Sequence, residues 1–202
     1  MKSPQQLHGT KPNECLVYSV IKMGHHSVLE HVNITFAIDK ISRAAANQLT
    51  RHRIGVSYSQ ASQRFIKYDK IDYIIPPSIN ADEEKCHEFQ IFMKDISNYY
   101  GNLIKSGIKS EDARAILPNA TATNLTMTVN ARELIEMCKL RLCMTAQEEI
   151  RKLFESIKLC INNNKELKFL SSYLLPKCVW LKYCPEGIKS CNKKAKFNEN
   201  NE

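Results

Sequence analysis

Residues 121–141, TATNLTMTVNARELIEMCKLR, hold the pattern that decides the fold of this chain. Leu125, Met127 and Val129 alternate with polar residues, which is the period of a strand with one buried face. Asn130 ends this strand and has a glutamate three residues later, the spacing of a capping box. A helix should therefore begin directly after the strand, so the chain combines sheet and helix.

The remaining chain supplies a second strand and several more helices. HVNITFAID, residues 31–39, alternates apolar and polar residues like a half-buried strand. The longest helix is predicted over residues 82–106, where an apolar stripe ends at Gly107. Three shorter helices are predicted as well: one from Asn13 to Gly24, one over residues 41–53, and one that begins at Thr145 in a second capping box with Glu148.

Length and composition indicate one domain. The 202 residues are 43% hydrophobic and 25% charged, which allows a sizeable core, and the sequence has no internal repeat and no linker. We predict a single α+β domain over residues 1–185, with an antiparallel or mixed sheet flanked by long helices. Residues 186–202 are predicted to be a basic polar tail.

The opening residues and the cysteines point to a reducing compartment. Residues 1–14 contain no apolar run that could serve as a signal peptide, and no later segment has the length needed to cross a bilayer. The eight cysteines are scattered, and several fall in apolar helical patterns where a reduced cysteine acts as a small hydrophobe. We expect a cytoplasmic protein without disulfides and without a membrane partner.

Basic residues exceed acidic ones, which suggests an anionic partner. Lys and Arg number 29 against 21 Asp and Glu, a net charge of +8. RHRIGVSYSQASQRF, residues 51–65, places Arg51, Arg53 and Arg64 among serines and glutamines, and each guanidinium is a planar fork of donors suited to phosphate or a base edge. Taken alone, this stretch is better explained as a solvated basic helix end followed by a polar loop than as a binding site.

Later arginines favour a binding site over a solvated surface. Arg114 precedes the strand of residues 121–129, and Arg132 and Arg141 lie on the helix after it. Asn130, at the start of that helix, also brings backbone N–H groups that can receive an anion. These separated segments would form one pocket of convergent donors if the fold brings them together.

Metal and phosphate-loop patterns are missing. His25, His26, Glu30 and His31 lie close together in GHHSVLEH, but not at the i, i+4 spacing of a helical zinc protease. The last three cysteines, in CVWLKYCPEGIKSC, lack the close CxxC pairs of a zinc ribbon, so a structural zinc there is only the minor alternative and we expect no metal. None of the six glycines is spaced as GxGxxG or GxxxxGK, so no standard dinucleotide fold is indicated.

Three separated motifs, taken together, resemble those of the flavin-dependent thymidylate synthases, the ThyX family. They are GHHSVLEH, RHR followed by SQASQRF, and ARAILPNATATNLTMTVNARELIEMCKLRLCMTAQEEIR. The resemblance implies an enzyme that binds FAD without a glycine-rich loop and converts dUMP to dTMP. Methylenetetrahydrofolate would supply the carbon, and NADPH the reducing equivalents through the flavin. It also implies a homotetramer whose active sites are each built from several subunits.

The resemblance assigns site residues by position. Arg141 matches the catalytic arginine that faces the uracil ring, and Ser62 matches the signature serine, a hydroxyl that positions the substrate. The cofactor-binding positions are His25, Ser27, Glu30, Arg51, His52, Arg53, Ile54, Gln60, Asn130, Arg132 and Glu136. The substrate-binding positions are Gln48, Arg51, Gln60, Ser62, Arg64, Arg114 and Arg141.

The chain departs from the family pattern in three places. Eight residues, Ile54 to Ala61, separate RHR from Ser62, one more than usual, and a bulge at Gly55 would absorb the extra residue. Glu136 puts a carboxylate where the family commonly has a neutral or basic side chain. Residues 1–14 do not have the pattern of the strand and helix that usually precede the first motif, so the N-terminal part is expected to be shortened.

Two other functions remain open on the sequence. A truncated or decayed ThyX-like protein would keep nucleotide binding with little or no catalysis. An RNA-binding module would use the basic surface, but the arginines have no aromatic residues interleaved beside them, which argues against nucleic acid. A flavin spectrum of the purified protein would separate the enzyme from both alternatives.

Overall fold

The computed structural model describes residues 14–65, 68 and 70–193. Its strands are β1 (Asn33–Ser42), β2 (Val56–Gln60) and β3 (Ala122–Asn130). Its helices are α1 (Glu14–Lys22), α2 (Arg43–Leu49), α3 (Pro77–Asn80), α4 (Glu83–Lys105), α5 (Ser110–Ala113), α6 (Ala131–Arg141), α7 (Glu148–Asn163), α8 (Lys168–Ser171) and α9 (Lys177–Leu181). Short 3-10 turns cover His26–His31, Arg114–Ile116 and Gly187–Lys189. Within the described ranges, every helix is too short or too polar to span a bilayer.

Strand β3 is the centre of the sheet. The strand order is β1-β3-β2, and both neighbours pair with β3 in the antiparallel direction. Leu125, Met127 and Val129 of β3 are buried, as their alternation predicts. The predicted α+β fold with an antiparallel sheet is therefore confirmed.

Helices α2, α6 and α7 cover the buried face of β3. Leu49, Leu134 and Phe154, one from each helix, are fully buried in the same cluster as the strand residues. Burial of apolar side chains is the dominant favourable term in folding, at about 25 cal/mol for each Å² removed from water. Since α6 both follows β3 in the chain and packs on it, the position of α6 relative to the sheet is strongly determined.

Helix α4 forms a second, smaller core and leaves apolar residues uncovered. Asp82 caps it by accepting the Lys85 N–H at 3.0 Å, and the helix bounds agree with the prediction over residues 82–106. Met93 and Tyr100 are buried, whereas Phe92 and Tyr99 remain 62% and 58% exposed. The apolar stripe predicted from the sequence is thus only partly covered within one chain.

The segment after RHR is a strand, and the predicted bulge at Gly55 is wrong. Residues Val56–Gln60 pair with β3 without a register shift. Val56 and Tyr58 are half-buried and the serines between them face solvent, which is the alternation of a continuous strand. Gly55 lies in the turn before β2 with a φ of +69°, which favours glycine. The register shift of the sheet lies in β1 instead, between Ile38 and Ile41.

The predicted helix caps have different outcomes. Asn130 caps α6 by accepting the Glu133 N–H at 2.8 Å, so that prediction is confirmed. The prediction for Thr145 is wrong, because α7 begins only at Glu148 and its cap position makes no side-chain hydrogen bond. The predicted cap at Asn13 lies outside the described residues.

Ser42 joins β1, α2 and α7. Its hydroxyl accepts the Ala45 N–H at 3.0 Å and donates to Glu149 Oε2 at 2.6 Å. Its backbone N–H donates to Glu149 Oε1, also at 2.6 Å. The carboxylate in the first turn of α7 therefore accepts both polar hydrogens of a buried serine.

Ser42→Ala should lower the free energy of unfolding by about 2 kcal/mol, because it removes a helix cap and leaves a partly buried carboxylate without one donor. Urea unfolding measures the change. Ser172→Ala is the matched control, since Ser172 is exposed and its hydroxyl only donates to the Phe169 carbonyl. Equal stability of the two variants would contradict this role for Ser42.

Candidate functional site

The three separated motifs meet where β3 becomes α6. The backbone N–H of Asn130 donates to the Gly55 carbonyl at 2.9 Å, and the Ala131 N–H donates to the Val32 carbonyl at 2.8 Å. Residues 51–55, here called the RHR turn, thus bind the start of α6. The residue that follows GHHSVLEH does the same. Tertiary structure brings together residues that lie far apart in the sequence.

Gly55 allows this close approach. A Cβ atom added at Gly55 would collide with the side-chain amide of Asn130, so the RHR turn lies against the helix cap with no space for a side chain. The positive φ of Gly55 disfavours other residues for a second reason. The glycine therefore sets how near the RHR turn lies to α6.

Glu133, His52 and Arg141 form a hydrogen-bonded chain beside this junction. His52 Nδ1 lies 3.2 Å from Glu133 Oε1, and Arg141 Nε donates to His52 Nε2 at 3.1 Å. The His52 and Glu133 side chains are only 10% and 17% exposed. Arg141 also donates through Nη2 to the Gln48 carbonyl at 3.0 Å, so its guanidinium is held at two points.

These contacts define the protonation state of His52. Because Arg141 can only donate, His52 Nε2 must accept, and the ring proton lies on Nδ1 and points to Glu133. Burial lowers the pKa of His52, and the positive charge of Arg141 lowers it further. His52 is therefore neutral at pH 7. As the pH falls below about 6.5, His52 takes up a proton in the unfolded chain before it does so in the folded chain. Its contribution therefore lowers the free energy of unfolding as the pH falls.

Burial also shifts the pKa values of the groups around His52. It raises the pKa of Glu133, and the nearby carboxylate of Glu136 raises it further. It lowers the pKa of Arg141, although a guanidinium remains charged at neutral pH. Tyr58 has a raised pKa mainly through burial, and its hydroxyl donates to the Leu49 carbonyl at 2.8 Å. The site thus combines a charged guanidinium with a neutral imidazole and a neutral phenol.

The predicted flavin residues around the RHR turn are open to a ligand. Arg51 and Arg53 are exposed, and their side chains make no hydrogen bond or ion pair with other described residues. Ile54 is 85% exposed, and His25 and Ser27 also face solvent. One apolar side chain and two guanidinium groups that have no partner among the described residues are therefore exposed within four positions of the chain.

Two carboxylates near this surface are paired with cations. Arg132 forms an ion pair with Glu30, which ties α6 to the first motif. Glu136 accepts from Lys139 Nζ at 2.7 Å. The unusual carboxylate at position 136 is thus compensated by a lysine one helical turn away.

Several predicted substrate residues form a second group at the other end of β2. Arg64 pairs with Glu111 through Nη2 at 2.8 Å, and Arg114 Nε donates to the Glu111 carbonyl at 3.0 Å. Ser62 Oγ accepts the Arg64 N–H at 3.3 Å. The five residues of β2 separate this group from the RHR turn by about 17 Å. No hydrogen bond or ion pair between described residues joins the two groups.

Gln48 and Gln60 extend these two groups. The side chain of Gln48 donates to Gln147 Oε1 at 2.7 Å, while its carbonyl accepts from Arg141. Gln60 Nε2 donates to Thr123 Oγ1 at 3.4 Å on the neighbouring strand. Gln48 therefore belongs with Arg141, and Gln60 lies at the end of β2 nearer to Ser62.

Glu133 and Tyr58 were missed by the sequence analysis as site residues. The sequence predicts Glu133 only as the second member of a capping box, whose carboxylate would return to Asn130. In the structure that carboxylate binds His52 instead. The pairing depends on the fold, because the two residues are 81 positions apart.

The site holds one arginine fixed beside a buried histidine and exposes two more on the RHR turn, and comparison with known proteins identifies the family. The model of the family described as thymidylate synthase complementing protein matches residues 1–163. A flavin-dependent thymidylate synthase of Geobacter sulfurreducens is 41% identical over 178 residues, which are 87% of this chain and 75% of that protein. One of Thermococcus onnurineus is 40% identical over 185 residues, 89% of this chain and 75% of the relative.

A third relative, from Pyrococcus horikoshii, bears the same name and is 40% identical over 192 residues, with 91% of this chain and 79% of the relative covered. This chain belongs to the family of flavin-dependent thymidylate synthases, ThyX. The resemblance seen in the three sequence motifs is confirmed.

Arg141→Gln should raise the pKa of His52, because it removes the positive charge and leaves burial as the remaining cause of the low value. Titration of ¹⁵N-labelled histidine by NMR, with His52→Gln to assign the signal, measures the shift. Arg132→Gln is the control, since Arg132 pairs with Glu30 and should leave His52 unchanged. An unchanged His52 pKa in Arg141→Gln would contradict the proposed contact.

Proposed function

We propose that this chain is a thymidylate synthase that uses FAD to methylate dUMP, with methylenetetrahydrofolate as the carbon donor and NADPH as the reductant. The product is dTMP, and the reaction class is a methyltransferase. The observation that carries the proposal is the guanidinium of Arg141, which is held by His52 and the Gln48 carbonyl. The type of reaction is proposed from membership of the family.

The donor set beside the RHR turn fits FAD. Arg51 and Arg53 have free guanidinium groups that suit a pyrophosphate, and the exposed Ile54 offers an apolar surface to a ring system. Asn130, the cap of α6, binds this turn, and Arg132 follows two residues later in the first turn of the helix. When bound, the flavin supplies the reducing equivalents of the reaction.

Arg141 would act on the uracil ring of dUMP. A fixed cation beside the ring stabilises negative charge on it and so makes carbon 5 more nucleophilic. His52 and Glu133 hold the guanidinium in one orientation, and the neutral state of His52 leaves Arg141 as the cation of this chain of contacts. Ser62 would position the substrate, because no described histidine or carboxylate bonds to its hydroxyl as a base.

We further propose a homotetramer in which two subunits complete each dUMP site. Arg64 and Arg114 lie beyond one end of β2, whereas Arg141 lies near the other, so one chain does not bring the predicted substrate residues together. The exposed Phe92 and Tyr99 of α4 offer apolar surface for contact between subunits. A second copy would place its Arg64 group opposite the Arg141 of the first.

A decayed relative that binds nucleotide without catalysis is the alternative function. The contacts of Glu133, His52 and Arg141 favour the enzyme, since a chain released from catalysis has no need to hold a half-buried arginine against a neutral histidine. We also propose a cytoplasmic location, in line with the free thiols of the described cysteines. Nucleic acid is not among the proposed partners.

Arg141→Ala should lower the rate of dTMP formation by about a hundredfold or more, because one transition-state charge contact is lost. The variant should still bind flavin, and the purified parent should be yellow. Radiolabelled or chromatographic detection of dTMP measures turnover, and visible absorbance measures flavin content.

Lys152→Ala is the control for this experiment, since Lys152 is exposed and pairs only with Glu148. It should keep parental turnover. Near-parental activity of Arg141→Ala would remove the assignment of Arg141, and a parent chain that cannot take up FAD would favour the decayed relative.

Mixed tetramers should test the shared site. Arg141→Ala and Arg64→Ala chains should each be nearly inactive, but tetramers co-expressed from both should regain about a quarter of parental activity, because a random mixture completes that share of two-subunit sites. Arg64→Ala mixed with Arg114→Ala is the control and should stay inactive, since both changes fall in the same group. Inactive mixtures throughout would place the whole site within one chain.

A further inference from the structure

Four cysteines line one cavity at the end of α6. The cavity has a volume of about 450 Å³, and its wall includes Cys143, Cys178, Cys184 and Cys191 as well as Arg141. Cys143 follows α6 by two residues, Cys178 lies in α9, and the other two lie further along the chain. Two separate parts of the chain thus contribute thiols to one space.

These thiols are free and close to one another. All four are unpaired cysteines, and Cys184 is buried. Because all four belong to the wall of the same cavity, their side chains surround one space.

Four thiolates are the ligand set of a structural zinc site. Zn²⁺ prefers tetrahedral coordination, and a set of four cysteines is one of its common protein environments. Four thiolates and one divalent ion carry a net negative charge. The same cavity wall holds three lysines and one glutamate, whose net positive charge offsets it: Lys139, Lys177, Lys193 and Glu186. The chemistry of the cavity thus suits a soft divalent cation.

Closure of the C-terminal segment would complete such a site. Among the described residues, no three His, Cys, Asp or Glu side chains are arranged as a metal site, so the four thiols must move inward to bind an ion. Two of them follow Lys182, whose φ of 63° ends α9, and lie in a segment of turns with one 3-10 helix at Gly187–Lys189. Metal binding and local folding are commonly coupled in this way.

We propose that Cys143, Cys178, Cys184 and Cys191 bind one Zn²⁺ or a similarly thiophilic divalent ion. The four thiols lose their protons to solvent on binding, and no oxidation takes place. The ion holds the segment after α9 against the end of α6, the helix that carries Arg141. The inference stands apart from the proposed reaction, because it concerns binding by residues outside the Glu133, His52 and Arg141 contacts.

Metal content and cobalt binding test the proposal. The full chain, expressed without a histidine tag and purified under reducing conditions, should contain about one zinc ion per chain by plasma mass spectrometry. After removal of the ion, added Co²⁺ should produce the sulfur-to-cobalt charge-transfer absorption and the visible bands of a tetrahedral thiolate site. Cys178→Ser and Cys184→Ser should each lose the zinc and the tetrahedral cobalt spectrum.

Two other cysteines serve as matched controls. Cys86 lies in α4 and Cys160 is exposed on α7, both outside the cavity wall, so Cys86→Ser and Cys160→Ser should keep the ion. Metal-free protein that fails to bind Co²⁺ while all its thiols react would overturn the proposal. So would a disulfide among the four cysteines, or equal metal loss in the control variants. If the unsubstituted chain binds zinc but makes no dTMP, the zinc site stands and the proposed reaction fails.

Discussion

The site depends on the hydrogen bonds at the end of β3. Asn130 caps α6 with its side chain, while its backbone N–H binds the Gly55 carbonyl and the next residue binds Val32. A strand that runs straight into a capped helix leaves little freedom in the direction of that helix, and Gly55 brings the RHR turn directly against it. Arg51, His52 and Arg53 are therefore positioned by one junction, whose donors and acceptors lie within or directly beside the three motifs.

Burial turns this junction into a chemically useful site. His52 is removed from water between Glu133 and Arg141, so its pKa falls and it accepts a hydrogen bond from the guanidinium. A positively charged histidine there would repel Arg141. The neutral ring instead orients the cation, while Arg51 and Arg53 are exposed at the surface. The site thus combines one fixed, half-buried charge with two exposed ones.

The chain also leaves features that a single copy does not use. Phe92 and Tyr99 project from α4 into solvent, and the Arg64 group lies a strand's length from Arg141. The proposed assembly accounts for both features, since a second copy would cover the apolar surface and complete the donor set. The cysteine-lined cavity is different, because its four thiols come from one chain and surround one space.

The sequence by itself determined the α+β class, the strand and helix of residues 121–141, the long helix α4 and the family, because alternation, caps and motifs are local patterns. It also identified the arginines as candidate site residues. It did not predict the strand β2, the binding of Glu133 to His52 rather than Asn130, or the gathering of Cys143 with the last three cysteines. Those features join residues that are distant in the chain, or depend on which neighbour a side chain meets. Only packing around β3 brings such partners together, since a local pattern carries no information about what lies opposite it.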